Sequence, residues 1–298
     1  MSAGHRDSKP GKKVTLISLA AKKVAAEPIV MVTAYDFPSA RLADEAGVDL
    51  VLVGDSAANV VLGYESTVPV TVDELLVLTR AVRRGLRSAL LVADLPFGSY
   101  EVSDEQAVAT ALRFVKDGGA DAVKLERGGA SVGRAAAVIR AGIPVMGHVG
   151  LTPQVATALG GYRVQGRTAD QAEQVIRDAL DLQAAGCFAV VLEAVPAAVT
   201  ELLVPRLTCI AIGIGAGAAT DGQVLVWHDL LGLSGHVAKF VREFADVRAE
   251  TIRGLTAYAA AVRQREFPAV EHTYAIPTEE LDALRTRLHA GPPDPIER

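Results

Sequence analysis

Eight short runs of mostly β-branched and apolar residues recur along the 298-residue chain, and their number restricts the possible fold more than any other feature. Near-continuous apolar runs are typical of strands that are buried on both faces of a parallel sheet. The runs cover residues 29–35, 48–55, 89–95, 122–126, 144–150, 189–195, 209–215 and 223–229.

Helical patterns occupy most of the intervals between these runs, at residues 39–46, 72–85, 104–118, 130–141, 170–186 and 197–204. Strands that alternate with helices eight times predict an α/β fold of the (β/α)8 TIM barrel type. The interval between Gly215 and Gln223 is too short for a helix, so we expect an irregular unit there. A doubly wound open sheet is the alternative. Its best sign, the glycine run at 213–217, lacks GxGxxG spacing, and we expect those glycines to allow close backbone approach at the barrel mouth.

The two ends of the chain differ in composition from its middle. Residues 1–13 are polar and are predicted to form a disordered N-terminal arm. Residues 14–272 are predicted to form one barrel domain with an N-terminal helix, and residues 273–298 a C-terminal extension. Thr15 is a suitable N-cap for that first helix, and two lysines interrupt the apolar stretch that follows. The pattern therefore favours a capped helix over a signal peptide.

Charge and cysteine content narrow the functional class. The net charge of −5 gives no sign of the basic face that nucleic-acid binding requires. No apolar run reaches the roughly 18 residues that a membrane span needs. Cys187 and Cys209 are too few for a disulfide framework and lack the spacing of a zinc site. We therefore expect a cytoplasmic protein that acts on small molecules, without nucleic-acid or membrane partners.

Polar side chains interrupt the predicted strands near their carboxyl ends, which is where barrel enzymes bind their substrates. They are Asp55, Ser56, Asp94, Lys124, Glu126, His148 and Glu193. A charged group inside an apolar strand costs stability unless it is paired or binds a ligand. Their occurrence on five successive strands, at the same end of each, predicts an active site rather than isolated structural ion pairs.

Two of these carboxylates suggest a metal. Asp55 and Asp94 fall on neighbouring strands, about 5 Å apart, and would repel each other unless a proton or cation lies between them. Two oxygen ligands suit Mg²⁺, which accepts further oxygens from water and from a chelating 2-oxo acid whose carbonyl it polarises. We expect Lys124 to neutralise the substrate carboxylate or the enolate oxygen, and Glu193 to act as general base. His148 is expected either to contact substrate or to hydrogen-bond within the site.

Ordered sequence motifs add a family resemblance. They are VTAYD (32–36), VGDS (53–56), GYESTVPVT (63–71), ADLPFGSY (93–100), VKLE (123–126), GHVGLTPQ (147–154), GGYRVQGR (160–167) and IGIGAG (212–217). The ordered set resembles the 3-methyl-2-oxobutanoate (ketopantoate) hydroxymethyltransferase family from about Thr15 to His272. The resemblance implies a barrel of the phosphoenolpyruvate/pyruvate superfamily type, assembled as a homo-oligomer, usually a decamer.

The resemblance also implies a reaction and its residues. The reaction is one-carbon transfer from the co-substrate 5,10-methylenetetrahydrofolate to 3-methyl-2-oxobutanoate, giving 2-dehydropantoate for pantothenate and coenzyme A synthesis. By motif match, Asp55 and Asp94 are implied as Mg²⁺ ligands with Glu126 close to the metal. Glu193 is implied as the proton acceptor. The implied contacts of the oxo acid are Asp55, Ser56, Asp94 and Lys124.

The sequence departs from the family pattern at two places. Arg127 stands between Glu126 and the following Gly-Gly, where it is expected to pair with Glu126 and change the surroundings of the metal. Residues 155–157 read Val-Ala-Thr instead of Ser-Val-Asn, which removes an amide near the site. A paralogue acting on a related 2-oxo acid therefore stays open. A superfamily C–C lyase and a catalytically inactive assembly subunit are further alternatives, although neither Cys187 nor Cys209 has the loop position of a lyase cysteine.

Overall fold

The structure, a computed structural model, describes residues 12–155, 163–235 and 238–289. Eight parallel strands form a closed barrel in chain order, and β8 pairs with β1 to complete it. The strands are β1 (Ile29–Thr33), β2 (Leu50–Val53), β3 (Leu90–Asp94), β4 (Ala122–Leu125), β5 (Val145–Gly150), β6 (Ala189–Glu193), β7 (Ile210–Ile214) and β8 (Gly222–Leu225). The barrel confirms the predicted fold class and excludes the doubly wound open sheet.

Helices connect most of these strands. The α-helices up to residue 245 are α1 (Leu16–Val24), α2 (Phe37–Glu45), α3 (Ala57–Val60), α4 (Val72–Gly85), α5 (Asp104–Lys116), α6 (Val132–Arg140), α7 (Ala169–Ala184), α8 (Ala197–Leu203) and α9 (Trp227–Leu230). Short 3-10 helices occur at Gly128–Ser131, Pro153–Val155 and Val204–Arg206. The fully described segment between β7 and β8 contains no helix, as its length predicted.

Helix α1 forms where the sequence placed it. The Thr15 hydroxyl accepts a hydrogen bond from the Ser18 backbone N–H at 3.1 Å, and the Thr15 N–H donates to the Ser18 hydroxyl at 2.9 Å. This capping box satisfies two donors of the first turn. Leu19 is fully buried among the apolar side chains of the barrel interior. Lys23 pairs with Asp221 at 2.6 Å and so fastens the last turn of α1 to the segment before β8.

Two apolar layers explain why the strand runs are continuous rather than alternating. Along β2, Leu50 and Leu52 belong to the cluster inside the barrel, whereas Val51 and Val53 belong to the cluster between the sheet and the helices. All four are buried, because successive side chains of a strand point to opposite faces and both faces are covered here.

The eighth strand is shorter than predicted. The run 223–229 was expected to be extended throughout, but β8 ends at Leu225 and α9 begins at Trp227. The pairing with β1 stops at Leu225, which lies opposite Val32. One residue further along β1, the Thr33 hydroxyl accepts the Trp227 backbone N–H at 2.8 Å. This side-chain bond replaces the next ladder bond, so the chain leaves the sheet there.

The chain divides into two compact units, Met1–Ala245 and Asp246–Arg298. The second unit contains α10 (Val247–Arg263), a 3-10 turn at Val270–His272 and α11 (Thr278–His289). Boundaries after residues 13 and 272 stay predictions, and residues 1–11 of the predicted arm and 290–298 of the extension lie outside the described residues. Within the described ranges, no helix combines the length and apolar character needed to cross a bilayer.

Closure of the barrel depends on a glycine, which gives a stability prediction. A Cβ at Gly222 would lie 2.3 Å from the backbone oxygen of Ile29, which cannot move without disturbing the β8–β1 pairing. Gly222→Ala is expected to lower the free energy of unfolding by about 1–3 kcal/mol. Gly133 lies in α6, and a Cβ added there would meet no atom of another part of the protein within 4 Å. Gly133→Ala is therefore expected to raise the free energy of unfolding by up to about 1 kcal/mol. Urea unfolding measures both changes in free energy. Equal changes for the two variants would contradict the proposed role of Gly222 in the β8–β1 pairing.

Candidate active site

The polar side chains predicted from the strand ends all line one cavity of about 170 Å³. They are Asp55, Ser56, Asp94, Lys124, Glu126, His148 and Glu193. The alternation of the strands explains this convergence. In β3 to β6, the inward positions are apolar at the amino end and become Asp94, Lys124, His148 and Glu193 at the carboxyl end. The sequence-predicted set is therefore brought together completely.

Asp55, Asp94 and Lys124 form the centre of the cavity wall. The Asp55 backbone N–H donates to Asp94 Oδ2 at 2.9 Å, and Lys124 Nζ lies 2.7 Å from Asp94 Oδ1. Burial raises the pKa of Asp55 well above its usual value, and the charges of Glu126 and Asp94 add to this effect. Burial also raises the pKa of Asp94, although the Lys124 ammonium opposes it. The positive charge around Asp55 and Asp94 is therefore too small to stabilise both carboxylates in their ionised form.

His148 lies between Glu126 and the predicted base, Glu193. Its Nδ1 lies 3.1 Å from Glu126 Oε1 and its Nε2 lies 3.3 Å from Glu193 Oε2. Burial and the Lys124 charge oppose protonation of the ring, but Glu126 and Glu193 outweigh them and raise the pKa of His148 to about 9. Burial likewise opposes ionisation of Glu126, yet Lys124 and His148 lower its pKa to about 2. His148 therefore lies between the two carboxylates, and substrate contact by it stays a prediction.

Gln154 is a site residue that the strand-end reasoning missed. Its Nε2 donates to Asp55 Oδ2 at 3.1 Å and to the Leu95 backbone oxygen at 3.0 Å, while its Oε1 accepts from the Tyr100 hydroxyl at 2.5 Å. Its backbone N–H donates to Glu126 Oε2 at 3.1 Å. Gln154 is buried, and its amide has a partner for every polar atom. One residue of the 3-10 helix after β5 thus orients two of the predicted metal ligands.

Tyr35 supports Ser56 in the same way. The Tyr35 hydroxyl lies 2.8 Å from Ser56 Oγ, and burial raises the pKa of the phenol, so it stays protonated. Tyr35 and Gln154 both belong to motifs that carried the family resemblance. Their place in those motifs was the sequence signal that could have identified them as site residues. Neither interrupts an apolar strand, so the search for strand-end charges passed over them.

The glycine run at 213–217 lies at the cavity mouth and has a packing role. A Cβ at Gly215 would lie 2.6 Å from Cδ1 of Phe240, and a Cβ at Gly217 would lie 2.6 Å from the Cβ of Ala197. Gly215 also has a φ of +64°, which favours glycine. The expectation that these glycines permit close approach is confirmed.

The expected pairing of Arg127 with Glu126 is wrong for the described residues. Glu126 pairs with Lys124 and His148 instead. Arg127 adopts a left-handed backbone with φ of +79° and lines a different pocket, together with Asp178. The second departure, at residues 155–157, falls mostly outside the described part of the chain.

The donor set fits a hard divalent cation. Asp55, Asp94 and Glu126 offer carboxylate oxygens, which Mg²⁺ prefers, and five carboxylates line the described cavity together with only two basic side chains, Lys124 and His148. Across the described residues, no three acidic, histidine or cysteine side chains form a ready-made metal cluster. Mg²⁺ held by these carboxylates would need further oxygens from water and substrate.

Buried charges gathered at the carboxyl edge of a closed parallel barrel define the chain as a (β/α)8-barrel enzyme. It belongs to the ketopantoate hydroxymethyltransferase family, whose model matches residues 13–270. A 3-methyl-2-oxobutanoate hydroxymethyltransferase of Thermobifida fusca (strain YX) is 52% identical over 264 residues, which is 89% of this chain and 94% of that relative. The protein of the same name from Moorella thermoacetica is 54% identical over 263 residues, 88% of this chain and 98% of that relative.

Solved structures share the fold at much lower identity. Phosphoenolpyruvate phosphomutase from Streptomyces platensis subsp. rosaceus aligns with a TM-score of 0.56 and 16% identity, covering 91% of this chain and 96% of that one. A 2,3-dimethylmalate lyase, described as a member of the PEP mutase/isocitrate lyase superfamily, aligns with a TM-score of 0.56 and 14% identity, covering 94% and 100%. These likenesses confirm the barrel fold, and the superfamily type stays a prediction from the sequence resemblance.

Proposed function

We propose that this chain transfers a hydroxymethyl group from 5,10-methylenetetrahydrofolate to 3-methyl-2-oxobutanoate, yielding 2-dehydropantoate for pantothenate and coenzyme A synthesis. Family membership and relatives at 52–54% identity support the proposal. The observation that carries it is the single cavity in which Asp55, Asp94, Lys124 and Glu193 converge. That set suits the enolisation of a small oxo acid.

Asp55 and Asp94 would hold Mg²⁺, with Glu126 beside it. When bound, the ion would supply Lewis-acid polarisation of the substrate's keto oxygen. Lys124 carries a stable positive charge, because Asp94, Glu126 and Asp55 raise its pKa despite the burial that opposes it. Its ammonium would neutralise the substrate carboxylate or the enolate oxygen. The Ser56 hydroxyl, oriented by Tyr35, would donate to the oxo acid.

Glu193 would remove the proton from C3 of the oxo acid. Its side chain is 16% exposed, more than those of Asp55, Asp94 and Glu126, and His148 Nε2 lies 3.3 Å from one of its oxygens. The electrons of the broken C3–H bond form the enolate, whose C3 then bonds to the folate methylene carbon. Both bonds from that carbon to folate nitrogens break, one as the bond to C3 forms and the other as water supplies the hydroxyl group. The two nitrogens take up the proton that Glu193 removed from C3 and the remaining proton of water, and tetrahydrofolate leaves.

A C–C lyase using a catalytic cysteine is not favoured. Burial raises the pKa of Cys187 to about 12 and that of Cys209 to about 11, so neither thiol forms a nucleophilic thiolate near neutral pH. Both residues precede strands, at the barrel edge opposite the cavity. The alternative of an enzyme that acts on a related 2-oxo acid is tested by comparing product formation from several 2-oxo acids.

Assembly and location are further parts of the proposal. We propose a homo-oligomer, a decamer by family resemblance. Exposed apolar side chains on α1 support an interface, since Ile17 is 83% and Val24 is 90% exposed. Two free cysteines support a reducing compartment such as the cytoplasm. Sedimentation equilibrium of the purified chain tests the assembly, and a monomer at micromolar concentration would contradict it.

A product assay tests the proposed reaction. Purified protein is incubated with Mg²⁺, 5,10-methylenetetrahydrofolate and 3-methyl-2-oxobutanoate, and 2-dehydropantoate is measured by mass spectrometry. Parallel reactions contain pyruvate or 2-oxobutanoate in place of the branched acid. Faster product formation from 3-methyl-2-oxobutanoate supports the proposal, and absence of 2-dehydropantoate above the protein-free background contradicts it.

Gln154 provides a test of how the carboxylates are oriented. Gln154→Ala is expected to weaken Mg²⁺ binding by about 10–100-fold, because Asp55 and Glu126 lose the groups that fix their oxygens. Tyr100→Phe removes a hydroxyl that donates to Gln154 and accepts from the Glu126 backbone N–H at 3.3 Å. It is expected to have a smaller effect, because the side-chain amide of Gln154 and its bond to Asp55 remain. Titration calorimetry in the presence of the oxo acid measures both. Exposed Gln264→Ala serves as the control, and wild-type affinity in Gln154→Ala would contradict the role.

A further inference from the structure

The catalytic cavity has two unlike walls. The wall built by β2 to β5 carries the charged groups used for the oxo acid and the metal. The wall built by β7, β8 and the segments after them is largely apolar, with Ile214, Val224, Leu225, Val226, Phe240 and Val241. The enolisation steps use none of these residues. A second reactant that lies against them must therefore offer an apolar surface.

One carboxylate interrupts this apolar wall. Asp229, in α9, is the single acidic residue among the described lining residues that the enolisation does not use. The Ser234 hydroxyl donates to its Oδ1 at 2.5 Å, and its backbone N–H donates to the Val226 oxygen at 3.1 Å. In the described residues, nothing donates to Oδ2. Asp229 is thus a fixed carboxylate with acceptor capacity left for a ligand.

An aromatic ring, that of Phe240, lines the same cavity as Asp229. The Phe240 ring is packed against Gly215, where any Cβ would meet it at 2.6 Å, and the side chain is 38% exposed. A ring that is held on one side and open on the other offers a stacking face for a flat ligand. Gly215 and Phe240 therefore make a flat apolar platform in the same cavity as the Asp229 carboxylate.

We propose that Asp229 and Phe240 form the subsite for the pterin ring of the folate co-substrate, an inference that rests on the proposed function. A reduced pterin presents two adjacent donors, N3–H and the 2-amino group, which match the two oxygens of a carboxylate. Its flat ring stacks on Phe240. With the oxo acid on the charged wall, this arrangement presents the one-carbon carrier to the face of the enolate that lies toward β7 and β8.

The test separates pterin binding from enolisation. Asp229→Asn replaces one acceptor by a donor that opposes the pterin donors, and we expect affinity for tetrahydrofolate and for 6-methyltetrahydropterin to fall about 10–100-fold. Phe240→Leu is expected to weaken both by about 3–10-fold through lost stacking. Titration calorimetry on protein loaded with Mg²⁺ and oxo acid gives the affinities. Exposed Asp170→Asn is the matched control and is expected to bind both probes like the wild type.

Folate-independent exchange of the C3 proton is measured on the same proteins. Retained exchange in Asp229→Asn, together with weaker pterin binding, supports the subsite. Unchanged pterin affinity in both variants overturns it, and so does loss of exchange in Asp229→Asn, because Asp229 would then belong to the enolisation machinery. If the wild type binds pterin through Asp229 yet forms no 2-dehydropantoate, the proposed function fails and the subsite stands.

Discussion

Replacing Glu193 with glutamine is expected to abolish exchange of the C3 proton of 3-methyl-2-oxobutanoate with solvent and to slow hydroxymethyl transfer by about 100- to 10,000-fold. Glutamine keeps the size of the side chain and a hydrogen-bonding oxygen for His148, which lies 3.3 Å from the carboxylate. It has no basic oxygen to accept a proton. Proton NMR in D2O, with Mg²⁺ present, follows the exchange directly.

The control for this variant is Glu201→Gln, an exposed residue of α8 where the same change is expected to leave exchange and transfer unaffected. Mg²⁺ affinity of Glu193→Gln should stay near the wild-type value, because Glu193 is not among the proposed ligands. Exchange at the wild-type rate in Glu193→Gln would assign the base to another group.

Asp55→Asn is expected to abolish transfer and to weaken Mg²⁺ binding by more than about 100-fold, because it removes a proposed ligand rather than an outer partner. The same change should leave the metal-free protein equally stable or more stable. Burial and neighbouring carboxylates raise the folded-state pKa of Asp55 above its unfolded value, so ionised Asp55 lowers stability at neutral pH. Asparagine removes that charge and still accepts the hydrogen bond from Gln154.

Asp94→Asn makes the contrasting case. Asp94 lies 2.7 Å from Lys124, so losing its charge leaves a buried ammonium without its main partner. Burial raises the pKa of Asp94 as well, which offsets part of this cost, and Lys124 keeps its longer contact with Glu126 at 3.4 Å. We therefore expect this variant to lose about 1–3 kcal/mol of stability, whereas metal-free Asp55→Asn loses none. Thermal unfolding without Mg²⁺ compares the two neighbours. A metal-free Asp55→Asn protein that unfolds well below the wild type, or one that still turns over, would contradict the proposed role of Asp55.

The barrel and its strand-end groups could be predicted because their signal is local. Runs buried on both faces give continuous apolar patterns, and a charge such as Lys124 or His148 inside such a run is conspicuous. The end of β8 could not be predicted in this way. It depends on a bond between Thr33 and Trp227, which are 194 residues apart in the chain.

Contacts between loops account for the rest of what the sequence did not reveal. Gln154 contacts Asp55, which is 99 residues away in the sequence. Asp229 lines the cavity from α9, a helix whose residues the sequence pattern had assigned to the eighth strand. The spacing of residues along the chain does not predict such long-range contacts. Arg127 was assigned to Glu126 because they are adjacent, but its left-handed backbone accompanies a place in a different pocket.

The central claim is that residues of this cavity enolise the oxo acid with the help of a divalent cation before folate takes part. The most direct measurement is C3 proton exchange of 3-methyl-2-oxobutanoate in D2O, followed by NMR with wild-type protein and no folate. We predict exchange with Mg²⁺ and none in excess EDTA, with the protein still folded. Exchange at the same rate in EDTA, or no exchange with Mg²⁺, would contradict the claim.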